Sequence, residues 1–278
     1  MSIRSTSERD LGFLRDRFNF GVNGRLVTSQ ALYAAARPKG PAWTDNYGRG
    51  AAILQAFLYD QYLSSIEDLA ALLYAIRRRQ PNGIMFEYVN YHSSNVGDTY
   101  ALAQQWKTLP SLASVLGITE SELEQLRVAV ASSGDDPDEM VKHIDEIPQH
   151  LRGIADMYLA TYDSSVIGSG VVNPSNSRSV KGTHNKIKHG SVLIEDASEI
   201  VTDDVNVAAA RGPNFTGKML VLIAVPESGQ AEEPLTASLS VSYETMTNIM
   251  ESIQSVRNIQ HAIIGTVATL IKESIWSY

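Results

Sequence analysis

The pattern that most constrains the fold is a long apolar repeat that runs from Tyr243 to about Trp276. Apolar residues recur there every three or four positions, which is the spacing of one buried helix face. Gln260 is a polar interruption at what would be the next position of the repeat. The repeat predicts a long helix packed along a helical bundle. Its apolar members are Met246, Ile249, Ile253, Val256, Ile263, Val267 and Leu270.

A second long amphipathic helix is predicted from about Ala51 to Arg79 by the same three-four spacing. Residues 77–79 are three consecutive arginines, and residues 81–83 read Pro-Asn-Gly, which stops a helix. Cations near a helix C-terminus interact favourably with its dipole. We therefore interpret the arginines as a solvated helix end in preference to a nucleic-acid patch.

The other N-terminal segments predict shorter elements. Residues 1–47 mix aromatic residues with a Pro- and Gly-rich stretch, and we expect an irregular or short-helical arm packed on the body. Residues 83–109 predict one or two further helices.

Capping patterns mark the next helix starts. Thr119 and Glu122 have the spacing of a capping box. Asp136 followed by Pro137 predicts a helix over about 137–145, and Pro148 predicts the start of another that runs to about Ser164.

Short β-branched runs replace this helical pattern within residues 191–241. The runs SVLIED, GKMLVLIAVPE and LTASLSVS are separated by Gly- and Pro-containing stretches, which is typical of a small antiparallel sheet. The predicted fold is mostly α: an up-and-down helical bundle with a small antiparallel β excursion before the last long helix. Residues 1–150 form a helical region, either part of the same bundle or a second lobe, and residues 151–278 carry the β insertion at about 191–241.

Composition limits the chemistry and the partners. The chain has no cysteine, which excludes disulfides, thiolate nucleophiles and sulfur-ligated metals, and we expect no cofactor and no metal. Its formal charge of −8 argues against gripping nucleic acid over the whole surface. No apolar stretch approaches the roughly 20 residues that span a bilayer, and the first residues lack a secretory signal. We expect a cytoplasmic protein that does not enter a membrane.

The octapeptide THNKIKHG at residues 183–190 carries most of the functional information. One interpretation is structural: a short helix closed by Gly190, with Lys186 and Lys188 beside the negative end of its dipole and His189 bonded to a final carbonyl.

The other interpretation is a site. Arg178 precedes His184 by six positions, and on a helix Asn185 and His189 share a face. Arginine and histidine that converge on one phosphate can cleave RNA without a metal, because histidine moves the proton and arginine stabilises the developing charge. Arg178 would bind the phosphate, His184 or His189 would carry the proton, and Asn185 would orient the substrate.

At these residues the chain resembles the HEPN superfamily, whose members are helical bundles and whose nucleases carry an Arg-x4-6-His motif. The sequence HNKIKHG, followed by short strands and a last long helix, is also similar to HEPN-like relatives with an Asn-x-x-Lys-His-Gly block at this place. The resemblance covers about residues 150–278. It implies a helical fold, binding of RNA or a nucleotide, and a homodimer formed through the bundle that would bring two copies of the motif together.

On the last predicted helix, Arg257 and His261 lie four positions apart on one face. They could complete the site or face solvent, and the spacing alone favours solvent. Two functions remain open. One is a non-catalytic HEPN-like protein that binds a nucleotide, RNA or protein partner, with Asn185, Lys186, Lys188, Arg257 and His261 as binding residues. The other is a metal-independent ribonuclease, a toxin or defence component, with Arg178, His184 and His189 as catalytic residues.

Overall fold

A computed structural model shows that the chain is mostly helical in the part that it describes. The described residues are 6–35, 49–92, 94–131, 137–159, 192–193, 217–224, 235–241 and 243–271. None of the helices in these ranges combines the length and the apolar character that crossing a bilayer requires.

The described residues form nine α-helices and one π-helical segment. They are α1 (Glu8–Asp16), a π-helical segment (Arg17–Val22), α2 (Asn23–Ala35), α3 (Arg49–Arg78), α4 (Ile84–Val89), α5 (Asn95–Ala103), α6 (Leu109–Leu116), α7 (Glu120–Ala131), α8 (Pro137–Leu159) and, after the strands, α9 (Tyr243–Ile271).

The helix predicted at the C-terminal end is confirmed as α9, and all seven apolar members of its repeat are buried. Gln260 is buried as well, and its Nε2 donates to the backbone carbonyl of Ser65 at 3.5 Å. A polar side chain in the apolar face is tolerated because it has this bond. The helix predicted over residues 51–79 is confirmed as α3.

Of the two forms predicted for the N-terminal arm, irregular or short-helical, the described residues show the helical one; residues 36–47 of the predicted arm lie outside the described part. Residues 8–35 are helical throughout, from α1 through the π-helical segment to α2. Ser7 caps α1, since its hydroxyl accepts from the backbone N–H of Asp10 at 3.2 Å. The buried side chains step by three and four residues and hold this segment to the body: Leu11, Leu14, Phe18 and Val22.

Helix α8 corrects the predicted break at Pro148. The proline lies inside one continuous helix and does not start a second. It removes one backbone hydrogen bond at a cost of about 3 kcal/mol. Ile147, Leu151, Ala155 and Tyr158 are all buried, so one apolar face continues across the proline. Burying each large apolar side chain contributes about 1.5–3 kcal/mol, which offsets the lost bond.

The stretch after residue 83, predicted to form one or two further helices, forms two, α4 and α5. The capping box before α7 is confirmed too. The backbone N–H of Thr119 donates to Glu122 Oε2 at 2.8 Å, and the N–H of Glu122 donates to Thr119 Oγ1 at 3.3 Å. These reciprocal bonds satisfy two N–H groups that a helix start would leave unpaired.

Three short strands precede α9: β1 (Val192–Leu193), β2 (Gly217–Ala224) and β3 (Leu235–Val241). They pair antiparallel in the order β1-β2-β3. Val192 lies opposite Val221, and Gly217 lies opposite Val241. The pairing of β2 with β3 has an irregularity between Leu222 and Ala224.

The chain divides into two compact units that interleave along the sequence. The first comprises residues 1–24, 65–159 and 255–278, and the second comprises residues 25–64 and 160–254. In the first unit, α5 packs on α8, and Tyr100 donates its hydroxyl to the carbonyl of Ile66 at 2.6 Å. In the second, Tyr33 and Thr247 are hydrogen bonded at 2.9 Å. The predicted division at residue 150 stays a prediction.

Candidate functional site

Six of the eight predicted site residues lie outside the described part of the chain. They are Arg178, His184, Asn185, Lys186, Lys188 and His189. The remaining two, Arg257 and His261, lie on α9 within the first unit. The contacts of these two residues are therefore the described part of the predicted site.

Arg257 and His261 pack together against the π-helical segment instead of facing solvent. The guanidinium carbon of Arg257 lies 5.4 Å from the ring centroid of Phe18, and the His261 ring lies 4.8 Å from the same centroid. Arg257 also donates from Nε and Nη2 to Asn23 Oδ1, both at 3.2 Å. The shared face that the spacing predicts thus holds a cation-π contact, an aromatic contact and a fork of hydrogen bonds.

The electrostatics of this cluster keep His261 neutral. Burial lowers the pKa of His261, and the neighbouring Arg257 charge lowers it further, to about 4. A general acid or base works best with a pKa near the operating pH. A ring that is neutral throughout the physiological range and packed at a tilt against Phe18 is suited to packing and is poorly suited to carrying a proton.

A second polar cluster lies at the start of the π-helical segment. Arg17 forms an ion pair with Asp68, and its Nε donates to the Tyr88 hydroxyl at 2.6 Å. Burial lowers the pKa of Arg17, but Asp68 and Tyr88 outweigh it, so the net pKa is raised. A Cβ at Gly21 would run into the Arg17 guanidinium, so the glycine lets the arginine fold back over its own helix. The cluster fixes the start of the π-helical segment to α3 and α4.

The described part of the chain also forms a polar pocket that the sequence did not indicate. It lies between the start of α1 and the turn that joins α3 to α4. Asp10 is buried and closes the turn: its Oδ1 accepts from the backbone N–H of Met85 at 2.8 Å, and its Oδ2 accepts from the Ser7 hydroxyl at 2.9 Å. Gly83 has a φ of +94°, and a Cβ there would lie 2.8 Å from Asp10 Oδ2. Only glycine, which has no Cβ, can lie this close to the Asp10 carboxylate with this φ.

Arg79 forms the other charged wall of the pocket, which corrects the interpretation of the arginine run. Arg77 and Arg78 are exposed in the last turn of α3, as a solvated helix end requires. Arg79 is instead only 6% exposed, and its Nη1 donates to the carbonyls of Ile76 at 2.6 Å and Leu116 at 3.1 Å. Burial lowers the pKa of its guanidinium. The sequence signal was the run itself, but spacing could not show which arginine turns inward.

Among the described residues, no group of three or more histidine, aspartate or glutamate side chains could hold a metal ion. No family model matches the chain, and comparison with curated proteins and with solved structures gives no match.

Proposed function

We propose that the chain is a non-catalytic, HEPN-like helical protein that binds a nucleotide, an RNA or a protein partner. In this proposal the fold is an up-and-down bundle, with the β strands as an excursion before the last long helix. The polar block at residues 183–190 braces that excursion and presents Asn185, Lys186 and Lys188 to the partner. Two copies associate through the bundle.

The observation that supports the proposal is the packing of Arg257 and His261, the pair that could have completed a catalytic site; Arg178, His184 and His189 lie outside the described residues. A catalytic pair needs a histidine that exchanges protons near neutral pH and an arginine available to the phosphate. Here Arg257 is engaged by Asn23, and His261 has a pKa of about 4 beside Phe18. The formal charge of −8 also favours a local contact over a long nucleic-acid track.

A binding titration tests the proposal. Labelled single-stranded RNA of mixed sequence and a labelled adenine nucleotide are each titrated with the full chain in excess EDTA. We expect saturable anisotropy changes with at least one of them, weakened by Lys186→Ala and by Lys188→Ala. Lys142→Ala is the matched control, because Lys142 is an exposed lysine of α8 that forms an i,i+4 pair with Glu146.

The same mixtures also test the alternative function, cleavage of RNA. A metal-independent ribonuclease that uses Arg178 with His184 or His189 remains the second candidate, because the sequence concentrates arginine, lysine, asparagine and histidine there. Denaturing gels of the titrated RNA would then show fragments for the wild type and intact RNA for His184→Ala or His189→Ala. Intact RNA throughout supports the non-catalytic protein, and light scattering that gives the mass of one chain contradicts the dimer.

A further inference from the structure

The pocket between the start of α1 and the turn after α3 has the size of a small-molecule site. It encloses a cavity of about 360 Å³ and lies wholly within the first unit. Small-molecule sites occupy roughly 300–1,000 Å³ and combine apolar walls with a few polar groups that fix orientation. A ligand of about ten non-hydrogen atoms is within this range.

The charge of the lining is positive although the chain is acidic. Among the described lining residues, Arg9, Arg79 and Asp10 are charged, so their formal sum is two positive charges less one negative, or +1. The chain as a whole carries −8. The excess of arginine is therefore a local feature of the pocket.

The negative charge of Asp10 is directed into the protein's own turn. Both carboxylate oxygens accept hydrogen bonds there, one from the Met85 backbone and one from Ser7. Arg79 Nη1 donates to two backbone carbonyls, which fixes the position of this side chain at the wall of the pocket. A charge held in place before binding loses little conformational entropy when a ligand arrives.

An apolar surface lies beside these charges. Phe86 lines the pocket and is 49% exposed, and Met85 and Pro81 are also in the lining. Exposed aromatic side chains next to arginine are typical of sites that bind a planar or apolar body together with an anionic group.

We propose that this pocket binds a small organic oxyanion, a carboxylate or a phosphate monoester, with an apolar or aromatic body. The oxyanion lies at Arg9 and Arg79, and the body lies against Phe86. Asn82 contributes a polar group to the lining, and its Nδ2 donates to Glu87 Oε1 at 3.1 Å. This proposal uses only residues of the first unit and none of residues 183–190, so it stands or falls independently of the proposed function.

The test uses four probes on the full chain by saturation-transfer NMR: benzoate, phenyl phosphate, neutral benzamide and inorganic phosphate. We expect benzoate or phenyl phosphate to saturate below about 10 mM, as a ligand of this size can. Benzamide should bind at least about tenfold more weakly, because it has the ring without the charge. Inorganic phosphate should compete with phenyl phosphate but bind more weakly, since it lacks the ring. The tighter of the two organic anions identifies the oxyanion.

Matched variants locate the binding. Arg9→Ala should weaken the preferred anion about two- to fivefold, the range for an exposed ion pair, while Arg15→Ala on the same helix leaves it unchanged. Phe86→Ala should weaken it at least about threefold, while Phe20→Ala, at a more exposed phenylalanine that is not among the lining residues, has no effect. Equal binding of benzamide, equal losses in the control variants, or no binding of either organic anion would each overturn the proposal. None of these results bears on RNA binding or cleavage.

Discussion

Gly83→Ala gives the sharpest test of how the pocket is built. The glycine adopts φ +94° and ψ 162°, a region that essentially only glycine occupies. Forcing alanine into such a conformation costs about 1–3 kcal/mol. The new Cβ would also displace Asp10, whose charged hydrogen bond to Met85 contributes about 1.5–3 kcal/mol. The free energy of unfolding should therefore fall by about 2.5–6 kcal/mol.

Urea unfolding followed by circular dichroism measures this loss, and Gly153→Ala is the matched control. Gly153 lies exposed in α8, and a Cβ there meets nothing within 4 Å, so alanine should raise the free energy of unfolding by about 0.5–1 kcal/mol. Alanine should thus lower the free energy of unfolding at Gly83 and raise it at Gly153. A Gly83→Ala protein as stable as the wild type, at an unchanged denaturant slope, would refute the close approach of Asp10 to the turn.

Three further predictions concern single side chains. The pKa of His261 is about 4 in the folded protein and about 6.5 in the unfolded chain, so the unfolded state binds more protons between these two pH values. The free energy of unfolding should therefore fall as the pH drops from 6.5 to 4, and denaturant titrations at stepped pH measure this fall. His261→Gln should make the free energy of unfolding depend less steeply on pH in this range. Thr119→Ala should cost about 1 kcal/mol in urea unfolding, since it removes a helix cap. Tyr100→Phe should cost about 1–3 kcal/mol, whereas Tyr158→Phe should cost nothing or stabilise, because the buried Tyr158 hydroxyl has no hydrogen-bond partner among the described residues.

Each of these predictions has a distinct contrary result. An NMR titration that gives His261 a pKa near 6.5 would remove the basis for its neutral role. Ser121 is an exposed position of the same helix. If Thr119→Ala and Ser121→Ala lower the free energy of unfolding equally, the cap contributes nothing to stability. Equal losses for the two tyrosine variants would mean that the hydroxyl of Tyr158 is bonded as firmly as that of Tyr100.

The long helices could be predicted from the sequence because their signal is local and repeated. The seven apolar positions of the repeat already fix the buried face of α9, and the capping box at Thr119 lies within four residues. Pro148 was misinterpreted because a local rule for helix starts met a stronger effect, the continuous burial of Ile147 and Leu151 on either side.

The pocket could not be predicted because its parts are distant in sequence. Asp10 and Met85 are 75 positions apart, and Arg79 is oriented by the carbonyl of Leu116, 37 positions away. The contact of Phe18 with Arg257 and His261 is likewise set by tertiary packing. Of this arrangement, only the i,i+4 spacing of Arg257 and His261 could be predicted from the sequence.

The central claim is that the chain binds its partner without cleaving RNA. It is tested most directly by the cleavage rate of a fluorogenic RNA at protein excess in EDTA, for the wild type beside His184→Ala and His189→Ala variants of confirmed folding. We predict that all three proteins give the rate of buffer alone. A wild-type rate above buffer that falls about a hundredfold or more in one variant, the loss expected for a general acid or base, would contradict the account and identify the catalytic histidine.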